Sequence, residues 1–157
     1  MSAVREFFEY RKDVSETALR FFRFHEANPE VLDLVVTELE LVKSSGWKVA
    51  SLPSLIHYAR WVLIKRRRGS DRFGLNQNFA AYYGRLVAVL HPGLNGYFEM
   101  RTSERTDGDF GTELEPHGEG RFRRLRWADG TAIEEGWRPS TPHEPKPVRR
   151  RKRVHAD

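Results

Sequence analysis

The chain has 157 residues, of which 39% are hydrophobic, 31% charged and 12% aromatic. This length allows one domain with an appendage, and the aromatic share argues against disorder throughout. The absence of cysteine excludes disulfide frameworks, thiol nucleophiles and cysteine-based zinc sites. No apolar run reaches the roughly 18 residues of a membrane span. Charged residues interrupt the first apolar stretch, so we expect a cytoplasmic protein without a signal peptide or a membrane partner.

The net charge of +5 is unevenly distributed along the chain. Residues 60–72 carry six basic and one acidic side chains, and residues 140–157 carry six basic and two acidic. Residues 1–46 and 97–120 are net acidic, by three and five charges. Two basic islands beside an acidic body favour binding of a polyanion, because local potential steers phosphate. The plainer interpretation is that these arginines only keep the protein soluble.

Hydrophobic spacing and capping residues predict four helices in the first part of the chain. Ser15 is a typical N-cap, and Asn28-Pro29 combines an N-cap with a proline in the first helical position. Ser51 is a third cap, and Asn76 or Asn78 a fourth. The predicted helices span residues 15–25, 29–45, 51–65 and 79–90.

The chain changes character after Pro92-Gly93. We predict a strand over 97–101, a loop or mobile connector over 103–120, and a β-hairpin with Asp129-Gly130 as its two-residue turn. Proline and arginine then indicate a disordered basic tail. The fold class is mainly α with a small β part, built on a three-helix, winged-helix-like core. The predicted boundaries are 1–101 for this core, 102–120 for an acidic Gly-rich connector, 121–138 for the hairpin and 139–157 for the tail.

Three helices followed by a strand is the order of elements in helix-turn-helix and winged-helix domains, in which the third helix enters the major groove. The amides before helix 79–90 can pair with adenine or bind phosphate. Tyr82 and Arg85, three residues apart, can reach one backbone phosphate. The predicted nucleic-acid-binding residues are Lys65, Arg66, Arg67, Arg68, Arg72, Asn76, Gln77, Asn78, Tyr82, Arg85, Arg149, Arg150, Arg151, Lys152 and Arg153.

Each of these features also has a structural interpretation. Asparagines before a helix are usually caps, and helical tyrosines are usually half-buried. The cations at the end of helix 51–65 are favoured by its dipole. The loop between helices 51–65 and 79–90, the last two of the proposed three-helix core, has roughly ten residues, longer than the three or four of a helix-turn-helix.

Phe24-His25-Glu26-Ala27-Asn28-Pro29, with Asn76-Gln77-Asn78 and Tyr82-Tyr83-Gly84-Arg85-Leu86 farther on, resembles a group of small, largely uncharacterised phage and prophage proteins. The resemblance covers about residues 22–101 and implies a phage setting, hence a bacterial host cell. The chain has Gln77 where a third Asn is usual and Gly84 where Ala is usual. A glycine inside a helix costs about 1 kcal/mol relative to alanine, so Gly84 indicates a close approach.

Catalysis is not expected, and no cofactor or metal is predicted. His25-Glu26 lacks the second histidine of a His-Glu-x-x-His metalloprotease. The chain has no P-loop and no nucleophile elbow. A remote alternative is a Mg²⁺-dependent nuclease, whose ligands would be Asp107, Asp109, Glu113 and Glu115.

Two functions therefore remain in view. The first is a non-catalytic nucleic-acid-binding protein, with duplex DNA favoured over RNA. The second is a phage inhibitor that binds a host defence or nucleic-acid-handling protein complex, because tryptophan and arginine are the usual anchors of protein interfaces. Its predicted interface residues are Arg124, Arg126, Trp127 and Trp137.

Overall fold

The computed structural model describes residues 14–46, 50–66, 75–116 and 123–133. Within these ranges the chain is mainly helical with a small strand content, as predicted. The five helices are α1 (Glu16–Ala27), α2 (Glu30–Ser44), α3 (Leu52–Arg66), α4 (Phe79–Leu90) and α5 (Glu104–Phe110). The four strands are β1 (Ala50–Ser51), β2 (Phe98–Glu99), β3 (Thr112–Pro116) and β4 (Arg123–Trp127).

Local hydrogen bonds explain where the first four helices begin, and the predicted positions of these helices are confirmed. Ser15 Oγ accepts from the Ala18 amide at 3.2 Å, and Ser51 Oγ accepts from Ser54 at 3.4 Å. The prediction of Asn28 as the N-cap of α2 is wrong, because Pro29 is the N-cap residue and no side chain caps this helix. Asn28 instead ends α1, where its side chain donates to Phe24 O, and its backbone carbonyl accepts from the Val31 amide of α2. Such caps satisfy backbone groups that a helix leaves unpaired.

Helix α4 is the centre of the structure. It contacts α1, α2, α3, α5 and the 3-10 turn Pro92–Leu94 that follows it. Between Phe79 and Val89 every residue except Ala81 is buried. A helix that is buried on all sides is a core helix rather than a surface helix.

A cluster of aromatic rings joins α1 to α4. The ring centroid of Phe21 lies 4.9 Å from that of Tyr83, 5.3 Å from Tyr82 and 5.6 Å from Phe79. Phe21 is completely buried, and it stacks on His25 one turn farther along α1. Aromatic pairs at these distances stabilise a core beyond the area that they bury.

Gly84 lies where α4 passes closest to its neighbours. A Cβ at this position would stand 2.7 Å from Leu52 Cδ1 and 3.4 Å from Met100 Cγ. The close approach expected from this glycine is therefore present, and it gives a physical reason for glycine where helix propensity favours alanine.

The acidic segment after β2 has regular structure, so the prediction of a loop over residues 103–120 is wrong for α5 and β3. Ser103 Oγ accepts from the Thr106 amide at 3.2 Å and begins α5. Gly111 ends the helix in the left-handed region, at φ 66°. Glycine adopts this conformation at little steric cost, which makes it a common helix terminator.

The strand pairing also differs from the predicted hairpin. β4 pairs antiparallel with β3, which precedes it, with Leu114 opposite Leu125. Asp129-Gly130 does form a turn, since the Gly130 amide donates to Trp127 O at 2.9 Å. Residues 131–133, the beginning of the predicted second arm, are not in a strand, and the rest of that arm and the predicted tail 139–157 lie outside the described residues. β1 and β2 form a separate parallel pair.

The β3–β4 pair packs on the helical core. The buried side chain of Asn95 donates from Nδ2 to Leu125 O at 2.9 Å and accepts from the Leu125 amide at 3.0 Å. These two bonds imitate the exchange between paired strands. Leu125 is buried beneath them. The packing provides the support that an isolated two-stranded unit needs in water.

Candidate nucleic-acid interface

The predicted recognition helix does not face solvent. Because α4 is the central helix, its side chains contact other helices and not a groove of DNA. The assignment of Tyr82 and Arg85 as nucleic-acid contacts is therefore wrong. Both side chains are at most 2% exposed, and a phosphate would have to displace protein to reach them.

Arg85 binds a carboxylate of the chain itself. Its Nε and Nη2 atoms both lie 3.0 Å from Asp107 Oδ1 in α5. Nη2 also donates to Arg101 O at 2.7 Å, and Nη1 donates to Ala81 O at 3.3 Å. The guanidinium is 1% exposed, whereas the Asp107 side chain is 13% exposed. A buried charge needs such a paired and hydrogen-bonded environment.

Tyr82 binds the second carboxylate of α5. Its hydroxyl donates to Asp109 Oδ2 at 2.7 Å. The same buried carboxylate accepts from the Ser15 amide at 2.8 Å and from Ser15 Oγ at 2.6 Å. Burial raises the pKa of Tyr82, Ser15 opposes the rise and Asp109 adds to it. Tyr82 and Arg85 thus share a face, as predicted, but that face binds α5.

The three amide side chains before α4 are exposed. Asn76 Oδ1 accepts from the Asn78 amide at 2.9 Å, which is a turn at the start of the helix. Asn78 is the N-cap residue of α4 but makes no side-chain capping hydrogen bond, so the predicted cap is present only as the turn at Asn76. The predicted contacts of Asn76, Gln77 and Asn78 with nucleic acid stay predictions.

The basic islands are described only in part. Lys65 and Arg66 are exposed in the last turn of α3. Arg67, Arg68 and Arg72 lie outside the described residues, and so does the tail cluster Arg149, Arg150, Arg151, Lys152 and Arg153. Two exposed cations at the end of α3 are thus the described part of the predicted phosphate-binding residues.

The residues predicted for a protein interface have contacts within the chain. Trp127 is half-buried, packs against the core and pairs with Thr112 across the strands. Arg126 lies 3.2 Å from Glu113 Oε2 and 3.4 Å from Glu115 Oε2. Arg124 is exposed, and Trp137 lies outside the described residues. Trp127 and Arg126 therefore stabilise the β3–β4 unit.

The four carboxylates considered for a Mg²⁺ site have different partners. Asp107 binds Arg85 and Asp109 binds Tyr82, while Glu113 and Glu115 both bind Arg126. Among residues 14–46, 50–66, 75–116 and 123–133, no three potential metal ligands come together. The arrangement thus gives no support to a nuclease centre in this part of the chain.

His25 makes the stability of the fold depend on pH. Burial lowers its pKa below 6.5, against the opposing effects of Asp33 and Glu26. As the pH falls below about 6.5, the unfolded chain therefore binds a proton more readily than the folded protein, and stability decreases. We expect His25→Phe to flatten this decrease in urea titrations between about pH 7.5 and 5. His57→Gln, at an exposed site on α3, is the control; equal flattening by both variants would contradict the assignment.

The outer face of α3 is the feature that sequence reasoning missed. Its buried side consists of Leu52, Ile56, Ala59 and Leu63. Tyr58 stands at helical spacing with the apolar residues Leu55, Ala59, Val62 and Leu63 in sequence, but it is 47% exposed, and Trp61 is 61% exposed. The buried residues are spaced by four, three and four, and Tyr58 does not lie on the stripe that they form. Both stripes have helical spacing in sequence, so spacing alone does not identify the buried one.

One cation contacts the Trp61 ring, and two others lie close to it in sequence. Lys65 Nζ lies 4.8 Å from the centroid of the Trp61 ring. Arg60 precedes Trp61, and Arg66 follows Lys65; both are exposed. Residues 41–70 contain seven basic and no acidic side chains. The exposed residues of α3 therefore include two aromatic rings and three cations, and the helix itself has no acidic residue.

Comparison of the chain with protein families, with curated proteins and with solved structures gives no match. In the described residues, no helix has the combination of length and apolar character that crossing a membrane requires.

Proposed function

We propose that the protein is a non-catalytic nucleic-acid-binding protein with a winged-helix-like core, in which α3 rather than α4 faces the nucleic acid. The observation that carries this proposal is the exposed face of α3, where Tyr58 and Trp61 stand among Arg60, Lys65 and Arg66 without an acidic neighbour in sequence. Phosphate contacts supply most of the affinity of such proteins. The arginines and lysines of the basic segments outside the described residues would add to the same positive charge.

Charge reversal on α3 tests the proposal. We expect Arg60→Glu with Lys65→Glu to weaken binding of random-sequence oligonucleotides and to reduce the slope of log affinity against log salt by about two, one for each phosphate that is no longer neutralised. The measurement is fluorescence anisotropy between about 50 and 200 mM salt. Both residues are exposed, so folding should survive.

The matched control reverses two exposed cations elsewhere. Arg23→Glu with Arg105→Glu, on α1 and α5, changes the net charge by the same amount. If the control variant loses as much binding affinity as the α3 variant, the net charge of the protein, and not the α3 face, governs binding. Replacing the five basic residues at 149–153 by glutamine measures the contribution of the tail; a complete loss there would contradict a nucleic-acid surface on the folded core.

A host protein is the second candidate partner, favoured by the same exposed rings. Tryptophan, tyrosine and arginine are also the residues that dominate protein interfaces. The absence of acidic residues from 41–70 favours a polyanion, and a protein partner would have to present an acidic patch to match it. Failure of every oligonucleotide to bind would favour the protein partner.

A further inference from the structure

Two exposed aromatic side chains on one helix face require an explanation. The large hydrophobic side chains that are exposed among the described residues are Leu19, Leu41, Tyr58 and Trp61. The last two lie three residues apart on α3 and therefore share a face. Trp61 stays 61% exposed even with Lys65 above its ring. Exposed aromatic groups of this kind are typical of surfaces that contact a partner.

The charges around the rings restrict the chemistry of that partner. Arg60 precedes Trp61 in sequence, Lys65 contacts the Trp61 ring, and α3 has no acidic residue. A ligand that matches this face carries negative charges at regular intervals. Between these charges it carries flat apolar groups that can contact the aromatic rings. Nucleotides have this combination, since every base has a face for stacking and every linkage has a phosphate.

Stacking further distinguishes paired from unpaired bases. In a duplex the base faces are already stacked, and a protein reads the base edges in the grooves through hydrogen bonds. Tyr58 and Trp61 provide ring faces, and they lack the bidentate donor and acceptor groups that read base edges. Unpaired bases leave their faces free for aromatic side chains.

Resting on the proposed nucleic-acid function, we infer that the α3 face binds single-stranded nucleic acid, with a base stacked on Trp61 and the neighbouring phosphates held by Arg60 and Lys65. Tyr58 adds a second stacking surface on the same side. The ammonium of Lys65, already beside the indole ring, is placed to bind a phosphate next to the stacked base. Base stacking of this kind tolerates any sequence.

The experiment compares two forms of nucleic acid with the full chain. The probes are a fluorescein-labelled oligothymidylate of about 20 nucleotides and a duplex of the same length, with an oligouridylate to identify the sugar. Trp61→Leu removes the stacking surface but keeps an apolar side chain and the net charge. We expect roughly 10-fold weaker binding of single strands, less than about 2-fold weaker binding of duplex, and an unchanged salt slope. Trp61→Phe should restore most of the affinity.

The controls separate this inference from the proposal on which it rests. Leu41→Ala, at an exposed apolar site of α2, should leave both affinities unchanged. If Trp61→Leu weakens the affinity for single strands and for duplex equally, or weakens neither, the stacking inference is overturned while nucleic-acid binding stands. Absence of binding by all probes would overturn both, as would binding only to vesicles of anionic phospholipid. Melting curves of each variant verify that folding is intact.

Discussion

Replacing Asp107 by alanine is expected to lower the free energy of unfolding by about 3–5 kcal/mol, the usual cost of removing one partner of a buried ion pair. The physical reason lies with Arg85, which is 1% exposed and would keep its charge without a counterion. The guanidinium cannot lose its proton at ordinary pH. Urea denaturation of the full chain, followed by circular dichroism, measures the loss.

The different exposure of Arg85 and Asp107 provides the control. Arg85→Leu should cost less than Asp107→Ala, because the remaining carboxylate is 13% exposed and can reach water. Combining Arg85→Leu with Asp107→Leu should be more stable than Asp107→Ala alone, since no buried charge remains. If Asp107→Ala is as stable as the parent protein, water or another group compensates the charge of Arg85. The Arg85–Asp107 ion pair then does not stabilise the fold.

Phe21→Ala is the second substitution with a large expected effect, also about 3–5 kcal/mol. The side chain is completely buried and contacts the rings of Phe79, Tyr82 and Tyr83. Truncation to alanine leaves a cavity between α1 and α4, and the missing ring–ring interactions add to the decrease in buried area. Thermal and urea denaturation measure the change.

Its neighbour in sequence is the matched control. Phe22 is only partly buried, so Phe22→Ala should cost clearly less than Phe21→Ala. Phe21→Leu, which fills most of the cavity, should restore part of the lost stability. Equal destabilisation by Phe21→Ala and Phe22→Ala would show that the aromatic cluster around Phe21 contributes no more to the free energy of unfolding than a partly buried ring.

Local signals predicted the helical part of this fold well. Ser15, Asn28-Pro29 and Ser51 act near the beginnings of their helices through contacts a few residues long. The bounds of α4 agree with its apolar periodicity and with Pro92 beyond it. Such signals depend on neighbours in sequence, and this is why one chain is enough to recognise them.

α5 was not predictable in the same way. It has seven residues, including Gly108, and its composition favours a loop. Short helices of poor propensity form only with tertiary support. Here Asp107 and Asp109 supply that support from the helix itself, through Arg85 and Tyr82 of α4.

The same long-range contacts explain the error at the candidate site. Arginine and tyrosine bind a carboxylate with the chemistry by which they bind phosphate, so residue type does not reveal whether the anion is external or part of the chain. The α3 face was hidden for another reason. Tyr58 fits an apolar stripe in sequence, and only the packed structure shows which side of the helix the other elements cover.

The bond between Ser15 and Asp109 has a consequence for the way the protein is made. It joins residues 94 positions apart, and Arg85 likewise binds a carboxylate that follows it by 22 residues. Synthesis from the N-terminus makes α1 to α4 before Asp107, the counterion of Arg85. A chain that ended before α5 would hold the buried Arg85 cation without its carboxylate partner. We expect such a truncated chain not to fold stably, so the acidic segment acts as a covalently attached partner that completes the helical bundle.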